Sequence, residues 1–238
     1  MIINQNKKNK YKLAFTLAEV LITLGIIGVV AALTIPTLIT NYQKHQTVTQ
    51  LQKAYSQINQ AFLNAKLEMG DSAQWSKPVV NQDPIESLDW WNTYFLPNAK
   101  LSTSKTCVDD NFYECISNTS KYLDGTTMGW TTNLPAILLN DGSVIKLGSV
   151  SNTANASATI WVDLNGKQKP NIVGKDLFLI QFYLQNGLTV LSGYPTTKDV
   201  LLQDGSARCN KNTGSSKGTS CGYIIQQDGW QIKDDYPW

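Results

Sequence analysis

Residues Ala14 to Ile39, AFTLAEVLITLGIIGVVAALTIPTLI, form an apolar run long enough to cross a bilayer. About 20 apolar residues suffice for a helix that spans the hydrocarbon core, and no charged side chain occurs between Val20 and Tyr42. One element of the fold is therefore set as a membrane helix. Its anomaly is Glu19, close to its N-terminal end. A carboxylate at membrane depth costs roughly 2.5–3.5 kcal/mol even on insertion scales, so Glu19 calls for a partner.

Residues 1–14, MIINQNKKNKYKLA, carry Lys7, Lys8, Lys10 and Lys12 with no acid among them. A cluster of lysines before an apolar helix stays on the cytoplasmic side of the membrane, which makes this segment a basic leader. An ordinary secretory signal is the rival, with cleavage near Ala31 or Ala32, and it would release a secreted or cell-surface binding module of adhesin or lectin type. Against it stand the length of the apolar run and the acid inside it.

The formal charge of +2 comes from the leader: without those four lysines the count is 16 basic against 18 acidic side chains, a net of −2. The remainder has no excess of positive charge with which to bind nucleic acid. Cys107, Cys115, Cys209 and Cys221 all lie beyond the apolar run. Cys107 with Cys115 and Cys209 with Cys221 would close two local loops, although four cysteines allow three connectivities. Two disulfides would place the head outside the cytoplasm; free buried thiols and a metal site are the other readings. Neither pair has the short spacing of a zinc site, and His45, the only histidine, is remote in sequence.

Past Pro36 the helical pattern continues with a different periodicity. Val48, Leu51, Tyr55, Ile58, Phe62, Ala65 and Met69 recur every three or four residues and line one face, and Gly70 followed by Asp71 is a stop signal. The pattern predicts one helix from about Phe15 to Met69, roughly 80 Å long at 1.5 Å per residue. Pro36 lies inside it, where proline removes a donor and kinks a helix. Gly28 and Ala32 form a small-x-x-x-small pair suited to close helix packing. From Asp71 onward the chain reads as strands and loops, with one short helix near Pro84 to Tyr94. Ala136–Leu139 and Val144–Leu147 flank Asn140-Asp141-Gly142, a hairpin signal. Thr159–Leu164 follows, then Leu177–Leu184 and Leu188–Leu191 around Gln185-Asn186-Gly187. The expected fold is α+β, a long N-terminal helix on an antiparallel sheet. Its divisions are a leader (1–14), a transmembrane half (15–40), an amphipathic half (41–70) and a β-rich head (71–238).

The basic leader, small Ala14, the run Phe15-Thr16-Leu17-Ala18-Glu19-Val20 and the unbroken apolar helix behind it resemble the N-terminal signature of type IV pilins and type II secretion pseudopilins. The resemblance implies a pilin-like fold and a structural role as subunit of a type IV pilus or a pseudopilus. It implies cleavage by a prepilin peptidase between Ala14 and Phe15, methylation of the new Phe15 amine, and partnership with other subunits and an inner-membrane assembly platform. It places the chain in the bacterial inner membrane, with the head outside the cytoplasm, and then in the filament. The family usually has Gly before the cut, so Ala14 departs from the pattern, whereas Pro36 falls where the family commonly has proline. Pairing of Glu19 with the Phe15 amine of a neighbour would offset two buried charges.

Asp163, Asn165 and Asp176, with Asn171 between them, offer hard oxygen ligands for calcium on one loop, although the spacing departs from an EF-hand and Asn165-Gly166 also reads as a plain turn. The tail after Cys221 carries Trp230, Tyr236 and Trp238, which either pack the chain end onto the sheet or form an adhesive surface. No enzyme is expected: with His45 on the helical stem, the head cannot assemble a Ser-His-Asp or Cys-His set, and no phosphate-binding loop or dinucleotide fingerprint occurs.

Overall fold

The computed structural model describes residues 16–203, 205–212 and 214–238. The described chain divides after Gln43 into two compact units. Helix α1, Leu17–Met69, runs for 53 residues through Pro36. Thr40 donates its hydroxyl to the Pro36 carbonyl at 2.9 Å, the bond that a helical threonine makes one turn back. Gly70, with φ +78°, ends the helix in the left-handed conformation that glycine adopts without steric cost.

The unit from Lys44 onward is built on one sheet of six strands in sequential order. The strands are β1 (Thr103–Cys107), β2 (Ala136–Leu139), β3 (Val144–Val150), β4 (Ser157–Asp163), β5 (Leu177–Tyr183) and β6 (Leu188–Leu191). Every neighbouring pair is antiparallel. The β2–β3 turn has Gly142 at φ +85°, as an Asp-Gly turn requires. A register shift between Leu147 and Val150 interrupts the β3–β4 ladder. At this shift Gly148 lies so close to Thr159 that a Cβ would stand 2.7 Å from its carbonyl oxygen, and the Gly148 carbonyl accepts the Trp91 indole N–H at 2.7 Å.

Register puts Ile137, Ile145, Val162 and Phe178 in one row across the sheet and Leu147, Ile160, Ile180 and Leu191 in the next. Against this face pack Leu51, Ile58, Phe62 and Ala65 of α1, Trp90 of α2 (Pro84–Trp90) and Trp91 and Phe95 just beyond it. Tyr55 is half-buried, and Met69, expected on the same apolar face, is exposed because the helix ends beyond the edge of its contact. Helices α3 (Lys198–Leu202) and α4 (Cys221–Gln227) complete this layer, with Leu201, Ile224 and Ile225 buried in the same core.

The other face of the sheet is covered by the segment after β1. Phe112, Cys115 and Ile116 pack on Ala136 and Val144, and Met128 with Trp130 and Trp161 surrounds Val173 and Leu177. Disulfides join Cys107 to Cys115 and Cys209 to Cys221. Edge strand β1 reads TSKTC, is exposed except at Cys107, and carries a register shift between Thr103 and Lys105.

Candidate functional site

At the start of α1 the Thr16 carbonyl accepts the first helical bond, from the Val20 amide at 3.3 Å. Its hydroxyl accepts the Glu19 amide at 3.2 Å, and the Glu19 carboxylate reaches back to the Thr16 amide and hydroxyl, both at 2.8 Å. This reciprocal arrangement is a capping box, which satisfies amide donors that a helix start leaves free. The sequence singled out Glu19 as a charge in need of a partner; its local partner is Thr16. Both carboxylate bonds end on Oε2 and neither uses Oε1. Ala14 and Phe15 lie outside the described residues.

Beyond Glu19 the helix presents apolar side chains to its surroundings all around, among them Leu21, Ile22, Leu24, Ile26, Ile27 and Leu33. It is the one candidate membrane span among the described residues, with mean hydropathy 2.3 over its most apolar window. An apolar helix of that length satisfies its own backbone hydrogen bonds, which is the condition for lying in lipid.

A second constellation occupies the β4–β5 connection. Asp163, at the end of β4, and Asp176, just before β5, are 1% and 4% exposed. Asp176 accepts the amides of Asn171 and Ile172, both at 2.7 Å, on its two oxygens. Asp163 accepts the Asn165 amide at 3.2 Å on Oδ1. Burial, reinforced by the neighbouring Asp176 carboxylate, pushes the Asp163 carboxyl up to about 8. Burial likewise raises Asp176 to about 6, against the amide bonds that favour its ionised form. Asn165 and Asn171 direct their amide nitrogens to the carbonyls of Lys169 and Lys167, at 3.2 and 3.5 Å. Asp163 Oδ2, Asn165 Oδ1 and Asn171 Oδ1 are buried with no hydrogen-bond partner.

Residues 37–238 match a family of unknown function, DUF6613. The chain belongs to that family. Residues 9–35 match the prokaryotic N-terminal methylation motif, the signature of type IV pilins and pseudopilins, which are structural subunits. Within this DUF6613 member the motif covers residues 9–35, including the start of α1, and the family region covers the rest of α1 from residue 37 and the whole sheet. No curated protein and no solved structure matches the chain.

In this family member the structure gathers Asp163, Asn165 and Asp176 on one loop with Asn171, far in sequence from Glu19 and Pro36. No group of three or more His, Cys, Asp or Glu side chains placed to hold a metal ion occurs among the described residues, so any oxygen set there draws on the two carboxamides as well as the two carboxylates. Tyr236 is buried and donates its hydroxyl to the Gly174 carbonyl, and Trp230 packs on Tyr55 with ring centroids 5.6 Å apart. These aromatics hold the chain end on the core. The sequence reading missed Lys146, which is 3% exposed and bonds to the Thr131 hydroxyl at 2.8 Å. It sits in a cavity of about 210 Å³ that Thr159 and Trp161 also line. It lies within VIKL, a stretch that looks like an ordinary strand, and only the register shows that its face is covered.

Proposed function

We propose that the chain is a filament subunit of the type IV pilus and pseudopilus class. The observation that carries this reading is the methylation motif at residues 9–35 placed on a helix whose apolar side chains are exposed on every side. Cleavage by prepilin peptidase between Ala14 and Phe15 leaves residues 15–40 as the transmembrane and assembly half of the helix. Residues 41–70 then serve as its amphipathic half and 71–238 as the head. The subunit waits in the inner membrane with its head outside the cytoplasm, and an inner-membrane platform assembles it with other subunits.

In the filament the apolar helices pack in a bundle, and Glu19 pairs with the Phe15 amine of a neighbour through Oε1 while Oε2 keeps its bonds to Thr16. A charge buried among helices is tolerated when it is paired and hydrogen-bonded. Pro36 marks where the helix yields most readily, because its missing donor already interrupts the ladder.

Expression with and without an active prepilin peptidase, followed by mass spectrometry of the mature N-terminus, tests the reading. A methylated Phe15 that depends on the peptidase supports it. A start at Ala32 or Leu33 independent of the peptidase overturns it in favour of a secreted binding module.

A further inference from the structure

Each of the three unpartnered oxygens in the β4–β5 connection belongs to a group whose other polar atom is satisfied. Asp163 uses Oδ1 for the Asn165 amide, and both asparagines direct their nitrogens to loop carbonyls, with Asn165 also bonding the Asp176 carboxylate. What remains in the buried interior is acceptor capacity alone, on Asp163, Asn165 and Asn171. Nearly all buried polar atoms in proteins have a partner, and an orphan is explained by strain, water or an ion. Here the orphans share one chemistry, and Asp176 adds a second buried carboxylate within electrostatic reach of Asp163.

We propose that this connection is a calcium site, the ion held by Asp163 Oδ2, Asn165 Oδ1, Asn171 Oδ1 and a carboxylate oxygen of Asp176. The donor set is all oxygen, with no imidazole or thiolate, which selects a hard cation over zinc, copper or iron. Four protein oxygens in a buried loop suit calcium, which takes six to eight flexible oxygen ligands. Magnesium demands near-ideal octahedral geometry and keeps several of its waters, so it is seldom held in a protein cage of this kind. Carboxamide oxygens between the carboxylates add ligands without adding charge, and waters supply the remaining positions.

The loop is a junction, which gives the ion a structural task. The Asn171 carbonyl accepts the Lys121 amide at 2.9 Å, and Thr47 of α1 donates its hydroxyl to the Lys175 carbonyl at 3.2 Å. Gly174, at φ +87°, lies so close to the second disulfide that a Cβ would stand 2.8 Å from Cys221 Sγ. An ion at Asp163 and Asp176 therefore ties the segment at Lys121, the helix and the disulfide-bounded tail to the ends of β4 and β5. The inference is independent of filament assembly, and its test does not read N-terminal processing.

The full chain in detergent micelles, stripped with chelator and dialysed into metal-free buffer, is titrated with calcium chloride by calorimetry and followed by thermal melting. Magnesium chloride is the comparator. The expected result is one calcium per chain, and a melting temperature that rises with calcium as binding to the native state requires. Magnesium at the same concentration should give no comparable rise. Asn171→Leu, which keeps the volume and removes the oxygen, should weaken calcium binding at least about tenfold, and Asn171→Asp should retain it. No saturable binding by the unsubstituted chain overturns the proposal, as does an equal response to magnesium. Wild-type affinity in Asp163→Asn places the ion elsewhere and also overturns it. Should Asn171→Leu fail to fold, the stoichiometry of the unsubstituted chain together with retention in Asn171→Asp and loss in Asp163→Asn still decides.

Discussion

Phe62 on α1 and Phe182 on β5 stack face to face, with ring centroids 3.9 Å apart and planes 4° from parallel. Phe62 also lies within 6.4 Å of Trp91 and 5.0 Å of Phe95, so a single helix residue joins the sheet to the aromatic segment after α2. Phe62→Ala should cost about 3–5 kcal/mol, since no neighbour fills the space of a buried ring. Thermal melting should show a fall of roughly 6–20 °C, and Phe62→Leu a smaller one.

Lys146 gives a pH dependence of definite sign. Burial holds its ammonium down at about 8, against an ordinary 10.5. The unfolded chain therefore binds the extra proton between those values, the penalty of burying the charge is full below pH 8, and it fades as pH rises toward 10.5. From pH 7 to pH 10 this group should return about 2–3 kcal/mol of stability. The stability difference between the natural protein and Lys146→Met, followed by chemical denaturation across that range, isolates it from other groups.

Lys53 on α1 and Asp141 in the β2–β3 turn form an ion pair at 2.7 Å, yet their side chains are 55% and 43% exposed. Burial raises the Asp141 carboxyl, but bonds from Lys53 and Ser143 outweigh it and hold the group at about 2. The group's contribution is present above its unfolded value near 3.8 and is lost as pH falls through 2. Solvent screening keeps that contribution small. Lys53→Ala should change stability by no more than about 1 kcal/mol, measured by urea denaturation at pH 7, and the difference should shrink as pH falls from about 4 through 2.

The second disulfide closes a loop with a sequence separation of 12 residues, and both sulfurs are buried. The double substitution Cys209→Ala and Cys221→Ala should destabilise the protein by about 3 kcal/mol, from the constraint lost in the unfolded chain. Melting with and without reductant checks it: the variant should be less sensitive to dithiothreitol than the natural protein.

Five of the six strands were legible because each is an apolar run bounded by turn residues, as at Asn140-Asp141-Gly142 and Asn186-Gly187. The first strand was not. Thr103–Cys107 has no apolar alternation, and its strand character comes from pairing with β2 and from the disulfide at its end. Helix α4 was hidden for a related reason, since CGYIIQQ is too short for a period to show and is fixed by Cys221 and by Ile224 and Ile225 in the core. At the β4–β5 connection the oxygen-bearing residues could be read from spacing. Which of their oxygens lie buried without partners depends on where each amide nitrogen is spent, and that is a property of the folded loop.

The sheet ends on one side in a strand that is short, polar, carries Lys105 and is broken in register. Open strand edges with a flat apolar ladder recruit other edges, and these features are the means by which natural sheets avoid doing so. Crowded copies of this head would meet at β1 without zipping into a continuous sheet. In the proposed filament, assembly through the apolar helix would meet no amyloid-like competitor at this edge.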